Sequence, residues 1–162
     1  MTSPSIAEDL SRWAASDPDR TALIVGEREY SYGELDQRTD RIAAGLRERG
    51  VQRGSRVAIM LPNGIDAVIA IQATLRAGAA IMPVNPTAKH DRVSDLLRRS
   101  EAATLICDAE RSGEATQAVA AADDTPLVSD LDELGTEAEP PRESLGESDL
   151  AALMHTSGST GG

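Results

Sequence analysis

Phenylalanine is absent from this chain of 162 residues, and only Trp13, Tyr30 and Tyr32 are aromatic, so a core must be built from Leu, Ile, Val, Met and Ala. Cys107 is the only cysteine, which excludes an internal disulfide. Set in the apolar run from Ala103 to Cys107, it reads as core filler rather than as a nucleophile. Long hydrophobic runs are missing too. None approaches the roughly 18 apolar residues that span a bilayer, and Met1 to Ala15 has neither a basic start nor an uninterrupted apolar segment, so no secretory signal is expected. The default expectation is a soluble, cytoplasmic protein.

Positive charge is scarce. Sixteen Lys and Arg face 27 Asp and Glu for a formal charge of −11, and Lys89 is the sole lysine. Such a surface repels nucleic acid and acidic membranes, and a polyanionic substrate would need local donors or a metal ion. The acidic, arginine-rich bias fits either genomic base composition or a high-salt habitat. His90 and His155 lie far apart without Cys or acidic partners at metal-site spacing, so no metal site of protein ligands is expected. Acidic pairs such as Glu8-Asp9 and Asp123-Asp124 read as solvated surface rather than acid/base machinery.

What is present falls into two rhythms. Ser3-Pro4 starts a helix, with Ile6, Leu10 and Trp13 as its apolar stripe, and Asp17-Pro18-Asp19 ends it. Thr21 to Val25 and Arg28 to Ser31 flank Gly26-Glu27 as a β-hairpin. Ser31 and Glu34 stand as a capping box for a helix that turns Leu35, Ile42 and Leu46 inward and stops at Gly50. From Arg56 onward, short apolar runs alternate with amphipathic segments. Strands are expected at Val57 to Leu61, Ala79 to Val84, Thr104 to Cys107 and, weakly, Pro126 to Val128. Helices are expected over Ile65 to Ala77, Asp91 to Ser100 and Glu114 to Ala122. This alternation predicts an α/β fold, mainly a parallel sheet with helices on both faces. Gly135 to Ser148, with Pro140-Pro141, reads as a surface excursion within one domain.

The chain closes on an apolar run, Leu150 to His155, which reads as a short buried strand, followed by Thr156-Ser157-Gly158-Ser159-Thr160-Gly161-Gly162. Glycines let a backbone approach phosphate closely, and hydroxyls add donors without bulk. A flexible end has the same composition. The tail alone leaves both open. In an open α/β sheet, ligands bind beyond the carboxyl ends of the strands, where such a loop would sit.

Four stretches together decide between them. Tyr30-Ser31-Tyr32-Gly33-Glu34-Leu35, Val57 to Asn63, Leu75 to Pro86 and Thr156 to Gly161 occur in order, at spacings that resemble the N-terminal part of the adenylate-forming enzymes. That superfamily holds acyl-CoA synthetases, nonribosomal peptide synthetase adenylation domains and luciferases. The resemblance runs from about residue 5 to 162, the N-terminal part of the large AMP-binding domain, incomplete and without the C-terminal domain. It implies ATP-dependent activation of a carboxylic acid to an acyl-adenylate. Thr156, Ser157, Ser159 and Thr160 would then offer hydroxyls, and Gly158 and Gly161 amides, to the β- and γ-phosphates of ATP, with Mg²⁺ offsetting their charge. Val84-Asn85-Pro86 looks more like the acyl- or aryl-CoA ligases, which implies thioester formation with coenzyme A and a place in fatty acid metabolism. A peptide synthetase adenylation fragment, or a non-catalytic split half that docks with a separate chain, is the alternative. A Walker A loop needs lysine directly after its second glycine, where Gly162 stands, so a generic P-loop ATPase is not expected. The family's loop continues with proline, lysine and glycine, and its catalytic residues lie downstream. No catalytic residue carries onto this chain, and alone it is expected to be inactive.

Overall fold

A computed structural model describes residues 6–122, 125–141, 145–146 and 148–155. The expected cap at Ser3-Pro4, the Asp123-Asp124 pair and the whole loop from Thr156 to Gly161 lie outside the described residues. Helix α1 (Ile6–Ser16) ends where Asp17 N–H donates to Trp13 C=O at 2.9 Å, just before Pro18. Strands β1 (Thr21–Val25) and β2 (Arg28–Ser31) form a separate antiparallel hairpin. Gly26 turns it at φ +62°, a left-handed conformation that a side chain would oppose. The Trp13 ring stacks on Tyr32 at 5.7 Å and ties α1 to the start of the next helix. Trp13 therefore stays 42% exposed, and Ile6, expected on the inward stripe, is 66% exposed because α1 meets its neighbours chiefly through Leu10.

Helix α2 (Tyr32–Glu48) opens with the expected box: Glu34 N–H donates to Ser31 Oγ at 3.2 Å, and Ser31 N–H donates to the Glu34 carboxylate at 2.8 Å. Strand β3 (Arg56–Met60), helix α3 (Ile65–Arg76), strand β4 (Ala80–Pro83), helix α4 (His90–Ser100) and strand β5 (Thr104–Cys107) follow. Helix α5 spans Ser112–Ala120, starting two residues before the expected Glu114, because a 3-10 turn over Ala109–Arg111 leads straight into it. Strand β6 (Leu127–Val128) completes a parallel sheet of order β4-β3-β5-β6.

Alternation along β3 divides the core. Val57, Ile59 and Leu61 point to one cluster, shared with α1, α2 and α3, while Ala58 and Met60 point to another, shared with α4 and α5. Helices thus cover both faces, as the rhythm predicts. A second 3-10 turn, Leu131–Leu134, buries Leu131 and Leu134 against α2 and has no counterpart in the sequence reading. Beyond it, none of the described residues from Gly135 to Ser148 is buried, which agrees with a surface excursion. No helix is long and apolar enough to cross a membrane among the described residues.

Candidate functional site

The loop flagged by sequence hangs on the terminal apolar run, whose placement is described up to His155. Ile81 N–H donates to Ala151 C=O at 2.9 Å, and Leu153 N–H donates to Ile81 C=O at 2.8 Å, giving a single parallel bridge between Ile81 and Ala152. Among the described residues the expected strand from Leu150 to His155 is thus reduced to one bridge on the outer edge of β4. Leu150 is 50% and Met154 69% exposed, so the run is not the buried strand that its composition suggests. The physical reason is position. An edge run has one hydrogen-bonded neighbour, and its apolar side chains lack the second layer that a central strand receives.

Direction follows from the pairing. The run is parallel to β4, so Met154 and His155 follow at the carboxyl ends of the strands. Its start is pinned at the opposite end of the sheet. Arg53, ahead of β3, donates from Nε at 3.0 Å and Nη2 at 2.6 Å to the two oxygens of Asp149, and Gly146 N–H adds a third bond at 2.7 Å. The Arg53 guanidinium, then the Gly146 amide, hold the Asp149 carboxyl below its ordinary range. Between Leu150 and Gly162 the sequence holds no Asp or Glu, and its polar side chains are those of His155, Thr156, Ser157, Ser159 and Thr160. This donor set suits phosphate oxygens.

The other loops at this end have defined chemistry. Asn85, after β4, accepts from Thr87 N–H and Thr87 Oγ–H, both at 2.9 Å, which fixes the Asn85-Pro86 turn. Asp108, after β5, accepts from Arg111 N–H at 3.1 Å and pairs with the Arg111 guanidinium. Cys107 is buried at the end of β5, and burial, with Asp108 next to it, pushes its thiol up to about 11. It is protonated at neutral pH and fills the core, as its apolar setting predicts.

One constellation at this end was not foreseen. Glu114 on α5 accepts from Lys89 Nζ at 3.0 Å and from His90 N–H at 2.8 Å, and its oxygen lies 3.1 Å from His90 Nδ1. These hydrogen bonds, that of Lys89 first, bring the Glu114 carboxyl from 4.5 to about 2. The contact clamps the amino end of α4 to α5. Its only trace in the sequence is the lone lysine, because nothing local relates residues 24 or 25 positions apart. Among the described residues, no group of three or more His, Cys, Asp or Glu is placed to hold a metal ion.

Comparison with known proteins bears on the same stretch. The sequence pattern of the AMP-binding enzyme family matches residues 10–162. Surfactin synthase subunit 3 of Bacillus subtilis is 35% identical over 146 residues, which cover 90% of this chain and 11% of that protein. Among solved structures, a long-chain-fatty-acid-CoA ligase of Archaeoglobus fulgidus superposes with a TM-score of 0.84 at 25% identity, over 99% of this chain and 37% of that one. A benzoate CoA ligase of Burkholderia xenovorans gives 0.82 at 25% identity, over 90% and 31%. The chain spans well under half the length of each.

Proposed function

The chain belongs to the AMP-binding enzyme family, and we propose that it is the N-terminal part of a domain that activates a carboxylic acid with ATP and Mg²⁺. In that reaction a carboxylate oxygen attacks the α-phosphorus, the bond from that phosphorus to the bridging oxygen breaks, and pyrophosphate leaves with the bridging oxygen. The family match through the terminal glycine-rich stretch carries the reading. Thr156, Ser157, Ser159 and Thr160 contribute hydroxyl donors, and Gly158 and Gly161 backbone amides, to the leaving β- and γ-phosphates. Such donors stabilise charge as it develops on the leaving group and take no part in bond making. Mg²⁺, when bound, neutralises phosphate charge that a chain carrying −11 would otherwise repel.

The acyl acceptor has two readings, each with its own support. Coenzyme A is favoured by Val84-Asn85-Pro86 and by the likeness to CoA ligases of known structure. A carrier-protein thiol, as in peptide synthetases, is favoured by the identity to surfactin synthase. The adenylation step is common to both, and a cytoplasmic location suits either.

Carboxylate-dependent ATP–pyrophosphate exchange tests the proposal, using a polypeptide that extends past Gly162 through the remaining adenylation domain. Exchange is expected with one class of carboxylic acid, and a Ser157→Ala/Thr160→Ala double substitution should lower it by about ten- to a hundredfold. Dependence on an amino acid selects the carrier-protein reading, and dependence on an aryl or fatty acid selects coenzyme A. Exchange indifferent to the double substitution would overturn the role given to the loop. The 162-residue chain alone should show none.

A further inference from the structure

The terminal run is held to β4 by little of its own. Two backbone hydrogen bonds and the single bridge from Ala152 to Ile81 join it to the sheet, and of its apolar side chains Leu153 alone, among the described residues, packs on a core cluster. Its pattern does not choose a register either. Side chains of an extended run alternate between faces, so Ala151, Leu153 and His155 share one face and Leu150, Ala152 and Met154 the other. A shift of one residue would put Met154, equally apolar, where Leu153 lies.

What the run lacks is supplied just ahead of it. Asp149 N–H donates to Gly146 C=O at 3.0 Å, and Gly146 N–H donates back to the Asp149 carboxylate at 2.7 Å, closing a turn. The Arg53 fork meets both oxygens of that carboxylate, at 3.0 and 2.6 Å. Arg53 itself lies in a second turn, where Gln52 N–H donates to Ser55 Oγ at 3.0 Å and Ser55 N–H to Gln52 C=O at 2.9 Å. That turn is bonded to the entry of β4: Gly54 N–H donates to Gly78 C=O at 2.9 Å, and Ala80 N–H to Ser55 C=O at 2.8 Å. The guanidinium therefore sets the run against the same strand with which the run pairs. A two-point, charge-assisted contact fixes position and orientation together.

We propose that Arg53 and Asp149 lock the register of the terminal run. They decide that Ala152, rather than a neighbour, bridges to Ile81, and so how far beyond the strand ends the residues after His155 begin. A slip of one residue moves an extended chain by about 3.3 Å and reverses every side chain. Binding groups must be held to within about 0.5 Å. Both are positioning residues that act through the glycine-rich stretch, and their effect on ATP rests on the adenylation reading.

The test measures pyrophosphate exchange by the polypeptide extended through the remaining adenylation domain. Arg53→Met and Asp149→Asn should each raise the KM for MgATP about tenfold and leave the KM for the carboxylic acid within about twofold. The double substitution should match the singles, because either one opens the lock. Arg53→Lys keeps the charge but gives up the fork, and should fall between wild type and Arg53→Met. Arg53 is 50% and Asp149 22% exposed, so the Tm should hardly move. In the 162-residue chain labelled with ¹⁵N, Arg53→Met should speed hydrogen exchange at the Leu153 amide about tenfold and leave that of Leu105, bonded to Pro126 C=O, unchanged. A lowered Tm with an unmoved KM for MgATP, additive losses in the double variant, or unaltered exchange at Leu153 would each overturn the inference. Faster exchange at Leu153, with no pyrophosphate exchange by the extended wild type, would refute the adenylation reading and leave the register lock standing.

Discussion

The two faces of the parallel sheet are covered by different means. On the face of α2 and α3, backbone meets backbone: Gly45 sits so close to the Leu131–Leu134 turn that an added Cβ would lie 1.7 Å from Leu134 C=O. On the same face Arg76 is buried on α3 and bonds Asp40 at 2.6 Å, Asp36 at 2.7 Å and Ser11 Oγ at 2.9 Å, joining three helices. On the other face α4 and α5 rest on aliphatic packing and meet at the surface through Lys89, His90 and Glu114. The first face is built to a fixed geometry. The second is held by side chains that can adjust, and it carries the loops after β4 and β5.

The largest test of this contrast is one substitution made on each face. Alanine is favoured over glycine in a helix by about 1 kcal/mol, so space alone decides the sign. Gly45→Ala should lose about 3 kcal/mol, because the obstructing atoms are backbone and the turn must move away. Gly113→Ala, at the start of α5 with nothing within 4 Å, should gain about 0.5 kcal/mol. Urea denaturation measures both. A tolerated Gly45→Ala would show that the 3-10 turn is loosely attached and that the faces are alike.

Next in size is the ionic tie. Arg76→Met keeps the volume but leaves Asp36 and Asp40 without their cation. Both acids are about a quarter exposed, so water recovers part of the loss and about 2 kcal/mol is expected, below the full value for a buried pair. The matching change across the sheet, Lys89→Met, removes a cation that is 78% exposed and should lower the urea midpoint far less than Arg76→Met does. Equal losses from the two would erase the distinction.

Much of this was legible in sequence where the cause is local. The capping box at Ser31 and Glu34, the turn at Gly26 and the strand at Thr104 to Cys107 each depend on neighbours a few residues away. The alternation of short apolar runs with amphipathic segments gave the parallel sheet, because a crossover helix imposes that rhythm. What escaped is set by distance along the chain. The Leu131–Leu134 turn is bound by helix α2, some 90 residues earlier, and its own sequence, with Asp132 and Glu133 between leucines, shows no period. The terminal run departs from expectation for the opposite reason: Leu150 to His155 has a strand's composition, but among the described residues only Ile81 bridges to it. For the glycine-rich stretch, family order and spacing carried more than composition, which left a phosphate loop and a flexible end equally open.

The smallest expected effect probes the adjustable face by pH. Glu114 falls from 4.5 to about 2 on folding, chiefly through the bond from Lys89, then those from the His90 backbone and ring. A depressed folded value means that the folded state favours the carboxylate. Its contribution is therefore complete above about 4.5 and disappears as pH falls toward 2. Asp149, lowered by Arg53, acts with the same sign, so wild type alone cannot assign the loss. Glu114→Gln removes one of the two. The difference in urea midpoint between wild type and this variant should be constant from pH 7 to 5, shrink below 4.5 and vanish near pH 2. If instead the difference persists at pH 2, the carboxylate is not the bonded species, and α4 and α5 are joined by packing alone.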